Sequence, residues 1–329
     1  LTNAKGLSLT TSGAVVIPLT PCELYEVSSS LKTTNDQAIC FETIDSYDLN
    51  YSGKRNINIY GKLFFPKNTA RKYNAVVLSH GSGGLRRYHR KYVDLLVSNG
   101  YVVFQLDHYM GRGIRYDKTF SKVSGITFMN DAYYALNLLR THPSIEKIAY
   151  IGWSQGGVGP ILTHFDDVAL RLTDNSFDAS IAIYPYCGFT LSNKAVTSTP
   201  LLIITGGSDD LTPEQSCKNI YEKFKRDGEK IEFISIPEAR HGFDNPFLFF
   251  GITFDNLPSL NIINDKCTLT ISEEGRIVNL LGDIIEGPVE SEELLLACST
   301  PGVKVKYSSE ATAITAEAIV SFLKRRFSD

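Results

Sequence analysis

The sequence predicts an α/β protein with a mostly parallel central sheet and helices on both faces of that sheet. Strands and helices alternate from residue 58 to residue 236, which is the pattern of consecutive βα units. Several predicted strands, such as residues 75–79, are continuous apolar runs, as expected where both faces of a strand are buried. The chain has 329 residues, of which 43% are hydrophobic, and this is enough for one large core.

The individual elements follow from local signals along the chain. The first predicted strand stops at Pro66, the helix that begins near residue 88 ends at Asn99-Gly100, and Pro213 suits the first turn of a helix. Apolar runs predict strands at 58–66, 75–79, 101–106, 148–151, 180–184, 201–205 and 231–236. Helical periodicity predicts helices at 88–98, 128–141, 154–165, 214–226 and 310–327.

Two segments lie outside this alternation. Residues 1–55 are polar and rich in Ser and Thr, and we expect an N-terminal extension with some short strand. Residues 56–329 are expected to form the α/β domain, interrupted by an insertion at about 244–306. The insertion holds the aromatic run 247–250 and a strand-like stretch at 267–271.

Composition excludes several classes of protein. The formal net charge of -3 gives no reason to expect a nucleic acid partner, and no apolar run is long enough to span a bilayer. There is no H-E-x-x-H pattern and no clustered Cys/His spacing, so we expect neither a metal site nor a cofactor. The sequence does not indicate an oligomeric state.

Six cysteines are present in an even number without a C-x-x-C pair. Their order suggests three local disulfides, namely Cys22 with Cys40, Cys187 with Cys217, and Cys267 with Cys298. Disulfides would indicate a periplasmic or secreted protein, because these bonds persist in oxidising compartments. The alternative is a cytoplasmic enzyme with scattered free thiols.

Residues 152–156 read Gly-Trp-Ser-Gln-Gly, a G-x-S-x-G motif directly after an apolar strand. Such a motif makes a sharp strand-to-helix turn that leaves the hydroxyl of Ser154 exposed. Its two glycines lack the Cβ atoms that would clash in this turn. A serine hydroxyl is a poor nucleophile at neutral pH unless a neighbouring base takes its proton. The motif therefore predicts an acid and a histidine in later loops.

Both groups occur in the expected order. Asp209 and Asp210 follow the strand at 201–205, and His241 follows the strand at 231–236. Since parallel strands bring their carboxyl ends to one edge of the sheet, these residues should meet Ser154 there. Ser, Asp, His is the chain order of the α/β-hydrolase triad, with either aspartate available as the acid at this point.

Catalysis of this kind also needs donors for a developing oxyanion. One is expected to be the backbone N–H of Gln155, and the other that of Ser82 or Gly83, in the glycine-rich loop after the strand at 75–79. That loop lacks the full G-x-G-x-x-G spacing and any G-K-[ST], which argues against a phosphate cradle. His80, just before it, is expected to shape the loop.

Three further residues are candidates for contact with substrate. His108 follows a strand end near the expected site, Arg112 lies in the same glycine- and arginine-rich loop, and Trp153 precedes the nucleophile. The remaining histidines are expected to be ordinary surface or core residues.

The chain resembles the dienelactone hydrolase family of α/β hydrolases over about residues 55–245 and the terminal helix. The resemblance rests on the motifs at 80–84, 107–113, 152–157, 209–213 and 240–243. It implies an α/β-hydrolase fold and a catalytic triad of Ser154, His241 and Asp209, whose position before Pro213 matches the family spacing. The enzymes that give the family its name use a cysteine nucleophile, whereas this chain has serine.

The predicted function is hydrolysis of small carboxylic esters by a serine hydrolase through an acyl-enzyme intermediate. The alternatives are a peptidase of the same superfamily, a lactone hydrolase, and an inactive binding protein on this scaffold. The aromatic residues Phe247, Phe249 and Phe250 are expected either to line an acyl pocket or to pack the insertion onto the core.

Overall fold

An eight-stranded sheet forms the centre of the protein. The computed structural model describes residues 21–67, 72–169, 171–190, 198–226, 230–260 and 267–328. The strands are β1 Gln37–Asp45, β2 Arg55–Phe64, β3 Tyr73–Ser79, β4 Val102–Asp107, β5 Ile145–Trp153, β6 Ala179–Ile183, β7 Phe189–Thr190, β8 Leu201–Gly206, β9 Ile231–Ile236, β10 Ile252–Ser259, β11 Leu269–Ile271, β12 Ile277–Asn279 and β13 Thr300–Val305. The helices are α1 Pro21–Leu24, α2 Arg90–Ser98, α3 Gly125–Arg140, α4 Val158–Leu162, α5 Asp166–Ala169, α6 Glu214–Phe224, α7 Pro288–Cys298 and α8 Ser309–Ser328.

The central sheet has the strand order β1-β2-β4-β3-β5-β6-β8-β9. The first two strands pair in antiparallel fashion, as do β2 and β4, and all later neighbours are parallel. This topology confirms the predicted α/β-hydrolase fold. Because the parallel strands end at one edge, the loops after β3, β5, β8 and β9 converge there.

Two hydrophobic clusters flank the sheet, as the continuous apolar strands predict. Ala75 and Val77 of β3 belong to the cluster that includes side chains of α3, α4 and α6, whereas Val76 and Leu78 belong to the cluster that includes side chains of α2 and α8. Alternate side chains of one strand thus enter different clusters, which explains why such a strand reads as an unbroken apolar run.

The N-terminal segment contributes an edge strand to the central sheet. β1 pairs along its whole length with β2, from Gln37 opposite Leu63 to Asp45 opposite Arg55. The sequence indicated only short strand here, since the apolar run of β1, residues 38–41, is four residues long and lies in a polar, Ser/Thr-rich segment. Residues 1–20 lie outside the described part of the chain.

The helix predicted at 154–165 is shorter in the structure. Ser154–Gly157 form a 3₁₀ turn, followed by α4, which ends at Leu162. The glycine-rich start favours the tight turn. At the other end the hydroxyl of Thr163 donates to the carbonyl of Pro160, and this bond competes with helical continuation.

The predicted insertion contributes strands to two small sheets beside the edge at which the parallel strands end. β10 pairs with β13 in antiparallel fashion, while β12, β11 and β7 form the second sheet. We refer to residues 267–298, which include β11, β12 and α7, as the cap. A backbone bond from Leu49 N to Gly275 O and the pairing of β11 with β7 attach the cap to the domain.

All six cysteines form disulfides, in the three pairs expected from their order. These are Cys22–Cys40, Cys187–Cys217 and Cys267–Cys298, and the last bridges the two ends of the cap. Three disulfides are typical of proteins from an oxidising compartment. None of the described helices combines the length and the apolar character needed to cross a bilayer.

Candidate active site

Ser154 occupies a strained turn at the carboxyl end of β5. Its φ of 53° lies in the left-handed region, which non-glycine residues rarely adopt. A Cβ atom at Gly152 would overlap the carbonyl oxygen of Gly156, and one at Gly156 would overlap the carbonyl oxygen of His80. The two glycines of the motif are therefore required by close backbone contacts that hold the serine in this strained conformation.

A hydrogen-bonded chain joins Ser154 to the loops after β8 and β9. The Nε2 atom of His241 lies 2.9 Å from Ser154 Oγ, and its Nδ1 atom lies 2.8 Å from Asp209 Oδ2. All three residues are buried, with exposed fractions of 6–8%. The structure thus brings together the three residues that the sequence proposes as a triad, at distances suited to proton transfer.

The carboxylate of Asp209 is held in place by its own loop. Its Oδ1 atom accepts from the backbone N–H groups of Leu211 at 2.8 Å and Thr212 at 2.9 Å. The hydroxyl of Thr212 donates to Oδ2 at 3.0 Å. Asp210 points elsewhere and pairs with Arg240 at 2.7 Å, so Asp209 is the aspartate in contact with His241.

The glycine-rich loop after β3 approaches the serine closely. A Cβ atom at Gly81 would lie 2.9 Å from Ser154 Cβ, and Ser82 and Gly83 line a cleft together with Ser154. Within the described residues, the N–H groups of Ser82 and Gly83 have no hydrogen-bond acceptor. Their place beside Ser154 suits the oxyanion role that the sequence suggests, although Gly81 makes the tighter contact.

The side chain of Gln155 is fixed on the other side of the serine. Its Oε1 atom accepts from the hydroxyl of Tyr109 at 2.7 Å, and its Nε2 atom donates to the carbonyl of Val123 at 2.7 Å. These bonds anchor the residue that follows the serine. Tyr109 was not singled out from the sequence, although it lies inside the motif at 107–113.

A buried polar network lies beneath the glycine-rich loop. His108 donates from Nδ1 to Asp131 Oδ2 at 2.7 Å, and its Nε2 atom lies 2.7 Å from Ser79 Oγ. The backbone N–H of His108 donates to Nε2 of His80, so His80 must donate from Nδ1 to the carbonyl of Gly81, 2.8 Å away. The network therefore positions the loop that faces Ser154.

Burial and charge govern the protonation of this network. Burial, together with the neighbouring His108, lowers the pKa of His80 to about 4, and burial also lowers the pKa of His108. Burial would raise the pKa of Asp131, but the charge of Arg112 and the bond from His108 hold that pKa below its usual value. At neutral pH the histidines are neutral, and Arg112 compensates the charge of Asp131.

The three residues suggested as substrate contacts do not reach either cavity beside Ser154. His108 is fully buried, Arg112 forms ion pairs with Asp131 and Asp45, and Trp153 donates from Nε1 to Asp244 Oδ2 at 3.0 Å. Their side chains point away from the cavities because these buried partners require them. In the structure these side chains contact buried polar groups beside the site.

Asp244, which the sequence analysis missed, links the serine turn to the histidine loop. One carboxylate oxygen accepts from Trp153, and the other accepts from the hydroxyl of Tyr184 at 2.7 Å. The ring of Tyr184 in turn packs edge-on against His241, with centroids 4.7 Å apart. Its position three residues after His241 is the only signal in the sequence that could have indicated this role.

Two cavities meet at Ser154. The first, of about 120 Å³, lies between the cap and the core, and its apolar walls include Phe120, Val123, Ile126, Val158, Leu162, Leu269, Ile271, Ile277, Ile285 and Leu295. The second is an open cleft of about 750 Å³ that contains His241 and the charged residues Arg86, Asp117, Lys118 and Asp255. A substrate carbonyl at Ser154 could therefore extend one group into each.

The aromatic run of the insertion does not form the acyl pocket considered above. Phe247, Phe249 and Phe250 are 72%, 64% and 95% exposed, and none lines the apolar cavity. They lie on and just after the short 3₁₀ turn Pro246–Leu248, which carries them outward. At these exposures they do not pack the insertion onto the core either, and aliphatic residues of the cap line the apolar cavity instead. No cluster of metal-binding side chains occurs within the residues that the structure describes.

Comparison with known proteins identifies the family. The model of the dienelactone hydrolase family matches residues 59–247, which is more than half of the chain. The chain belongs to the dienelactone hydrolase family. This membership, which confirms the resemblance found from the motifs, indicates that the protein is a hydrolase. No curated protein matches the sequence.

Solved structures similar to this dienelactone hydrolase family member share little sequence with it. Est1E from Butyrivibrio proteoclasticus is 15% identical, with 56% of this chain and 86% of that chain covered and a TM-score of 0.41. A putative dienelactone hydrolase from Klebsiella pneumoniae is 18% identical, with coverages of 64% and 90% and a TM-score of 0.43. The acylaminoacyl peptidase of Pyrococcus horikoshii is 19% identical, with coverages of 64% and 38% and a TM-score of 0.45.

Proposed function

We propose that this protein is a serine hydrolase that cleaves small carboxylic esters through an acyl-enzyme intermediate. The observation that carries the proposal is the chain from Asp209 through His241 to Ser154, with bonds of 2.8 and 2.9 Å. This is the arrangement by which a serine hydroxyl is activated on several unrelated folds. Family membership supports hydrolysis, and the two cavities at Ser154 support a substrate with groups on both sides of a carbonyl.

In the first half of the proposed reaction, Ser154 Oγ forms a bond to the ester carbonyl carbon while Nε2 of His241 takes the hydroxyl proton. The tetrahedral intermediate collapses when the carbon–oxygen bond to the alcohol breaks, and His241 returns the proton to the alcohol oxygen. Water then repeats both steps on the acyl-enzyme, and the carboxylic acid is released. Asp209 accepts from Nδ1 throughout and stabilises the positively charged ring.

The proposed oxyanion donors are the N–H groups of Gln155 and Ser82, with Gly83 as the alternative to Ser82. The bonds of the Gln155 side chain and the His80 bond to Gly81 hold both segments before substrate arrives. Such preorganised donors are worth a hundredfold to a thousandfold each in typical enzymes of this type, as an order of magnitude.

We also propose that the protein is secreted or periplasmic. The support is that all six cysteines are paired, including the bridge between the two ends of the cap. Alkylation of the purified protein, denatured without a reducing agent, should find no free thiol. Six reactive thiols in that assay would instead indicate a cytoplasmic enzyme.

A fluorophosphonate probe tests the proposed activity directly, because it labels only serines that are activated by a base. The wild-type protein should be labelled and should hydrolyse p-nitrophenyl esters, whereas Ser154→Ala should do neither. A folded wild-type protein that is neither labelled nor active would be an inactive binding protein. Faster cleavage of peptide or lactone substrates than of open-chain esters would favour the corresponding alternative.

A further inference from the structure

The two cavities at Ser154 differ in their relation to the general base. His241 lines the open cleft and does not line the apolar cavity beneath the cap. In the proposed mechanism, the leaving alcohol must receive its proton from His241. The alcohol group therefore belongs in the open cleft, and the acyl group belongs in the apolar cavity on the other side of the serine.

The apolar cavity excludes charged groups. Among the described residues, no charged side chain lines it, and most of its walls are aliphatic or aromatic. Its polar members already have partners, since the Tyr47 hydroxyl donates to the carbonyl of Ser121 at 2.8 Å and Ser124 accepts from Thr127 N at 3.1 Å. An acyl chain that ends in a carboxylate or an ammonium group would lose its hydration there without compensation.

The size of the cavity limits the acyl chain. A protein cavity of about 150 Å³ accommodates benzene, which has six carbon atoms. The cavity here measures about 120 Å³, so it has room for roughly five carbon atoms beyond or including the carbonyl at Ser154. The aliphatic walls would add roughly fourfold in affinity for each methylene buried.

We propose that the cavity beneath the cap is the acyl site, and that the preferred substrates are esters of uncharged apolar acids of about four to six carbons. This inference rests on the proposed esterase function. It assigns selectivity to a segment, residues 267–298, that lies beyond the part matched by the family model. Ile285 is the residue chosen to test it, because it is 5% exposed and its side chain forms part of the cap wall.

The first experiment measures kcat/KM for p-nitrophenyl esters from acetate to dodecanoate. The wild-type protein should improve by roughly fourfold per methylene up to about pentanoate or hexanoate and decline beyond it. The kcat/KM for the hexanoate ester should exceed the kcat/KM for the equally long monoester of a dicarboxylic acid by at least a hundredfold. A flat profile, a maximum at acetate or dodecanoate, or equal use of the charged substrate would overturn the proposal.

The second experiment changes the cap wall and uses the adjacent isoleucine as a matched control. Ile285→Ala removes about three carbon atoms from the wall and should move the optimum two to three carbons longer. Ile284 is 45% exposed and does not line the cavity, so Ile284→Ala should keep the wild-type profile. A series with a fixed hexanoyl group and different alcohols should give the same ranking in both variants, since the alcohol lies in the other cleft.

The outcomes separate this inference from the proposed function. Fluorophosphonate labelling of each variant shows that its site is folded and its serine activated. If labelling and ester hydrolysis occur but Ile285→Ala leaves the chain-length optimum unchanged, the acyl-site assignment is wrong and the esterase function stands. If Ile285→Ala changes the ranking of alcohols and not of acids, the two groups occupy the opposite cavities and the assignment is also wrong.

Discussion

Asp209→Asn should abolish most activity by trapping His241 in the wrong tautomer. The backbone N–H groups of Leu211 and Thr212 both donate to Oδ1 of Asp209. An asparagine must therefore place its carbonyl oxygen there, and its NH₂ group then takes the position 2.8 Å from His241 Nδ1. Nδ1 can accept that bond only when the proton lies on Nε2, where it prevents His241 from taking the proton of Ser154.

The expected loss is about ten-thousandfold in kcat, as for the equivalent change in other triads, which corresponds to roughly 5 kcal/mol. Steady-state hydrolysis of p-nitrophenyl hexanoate measures it, with the thermal midpoint as a check on folding. Asp210→Asn is the matched control. It breaks a partly exposed ion pair with Arg240, worth at most about 1 kcal/mol, and should change kcat less than threefold.

Two results would refute this reasoning. Asp209→Asn that retains a tenth or more of the wild-type kcat would show that the carboxylate does not set the tautomer of His241. An equal loss in Asp210→Asn, with the fold intact, would move the acid from Asp209 to its neighbour.

Three further predictions concern stability and the loop that faces the serine. Burial lowers the pKa of His89 to about 3, below its unfolded value of about 6.5, so the unfolded state binds more protons below neutral pH. The free energy of unfolding should therefore fall by roughly 1 to 2 kcal/mol for this group as the pH falls from 6.5 to 5. His89→Gln should reduce this pH dependence in urea titrations, and an unchanged pH dependence would contradict the prediction. Gly81→Ala places a methyl carbon 2.9 Å from Cβ of Ser154 and should lower kcat/KM at least tenfold. Gly83→Ala, whose methyl carbon meets only a side-chain nitrogen of Arg86 at 3.8 Å, should lower kcat/KM far less, and equal losses would show that the close approach is unimportant. The Cys267→Ser/Cys298→Ser double variant opens a span of 31 residues and should lose up to about 4 kcal/mol of stability in calorimetry or urea unfolding, and a wild-type midpoint would contradict a structural role for this bridge.

The central sheet could be predicted from the sequence because its strands are buried on both faces. Runs such as residues 75–78 and 201–204 have no polar positions that would leave their assignment ambiguous, and the glycines around Ser154 mark the turn by steric necessity. β1 was harder to recognise, since its apolar run is only four residues long and the polar segment around it gives few other signals.

The serine, the histidine and two candidate acids also followed from motif and chain order. The residues alone left Asp209 and Asp210 open, and the resemblance to the family favoured Asp209, whose side chain contacts His241 in the structure. The roles of His108, Arg112 and Trp153 could not be derived locally, because their partners Asp131, Asp45 and Asp244 come from distant parts of the chain. The cap cavity likewise combines aliphatic residues from several segments that show no common pattern in sequence.

Intact-protein mass spectrometry after rapid mixing with p-nitrophenyl hexanoate tests the central claim most directly. Acid quenching within the first turnovers should reveal a species heavier by one hexanoyl group, and peptide mapping should locate it on Ser154. The same experiment with Ser154→Ala should give no adduct. Turnover of the ester without any acyl adduct, or with the adduct on another residue, would contradict the proposed acyl-enzyme mechanism.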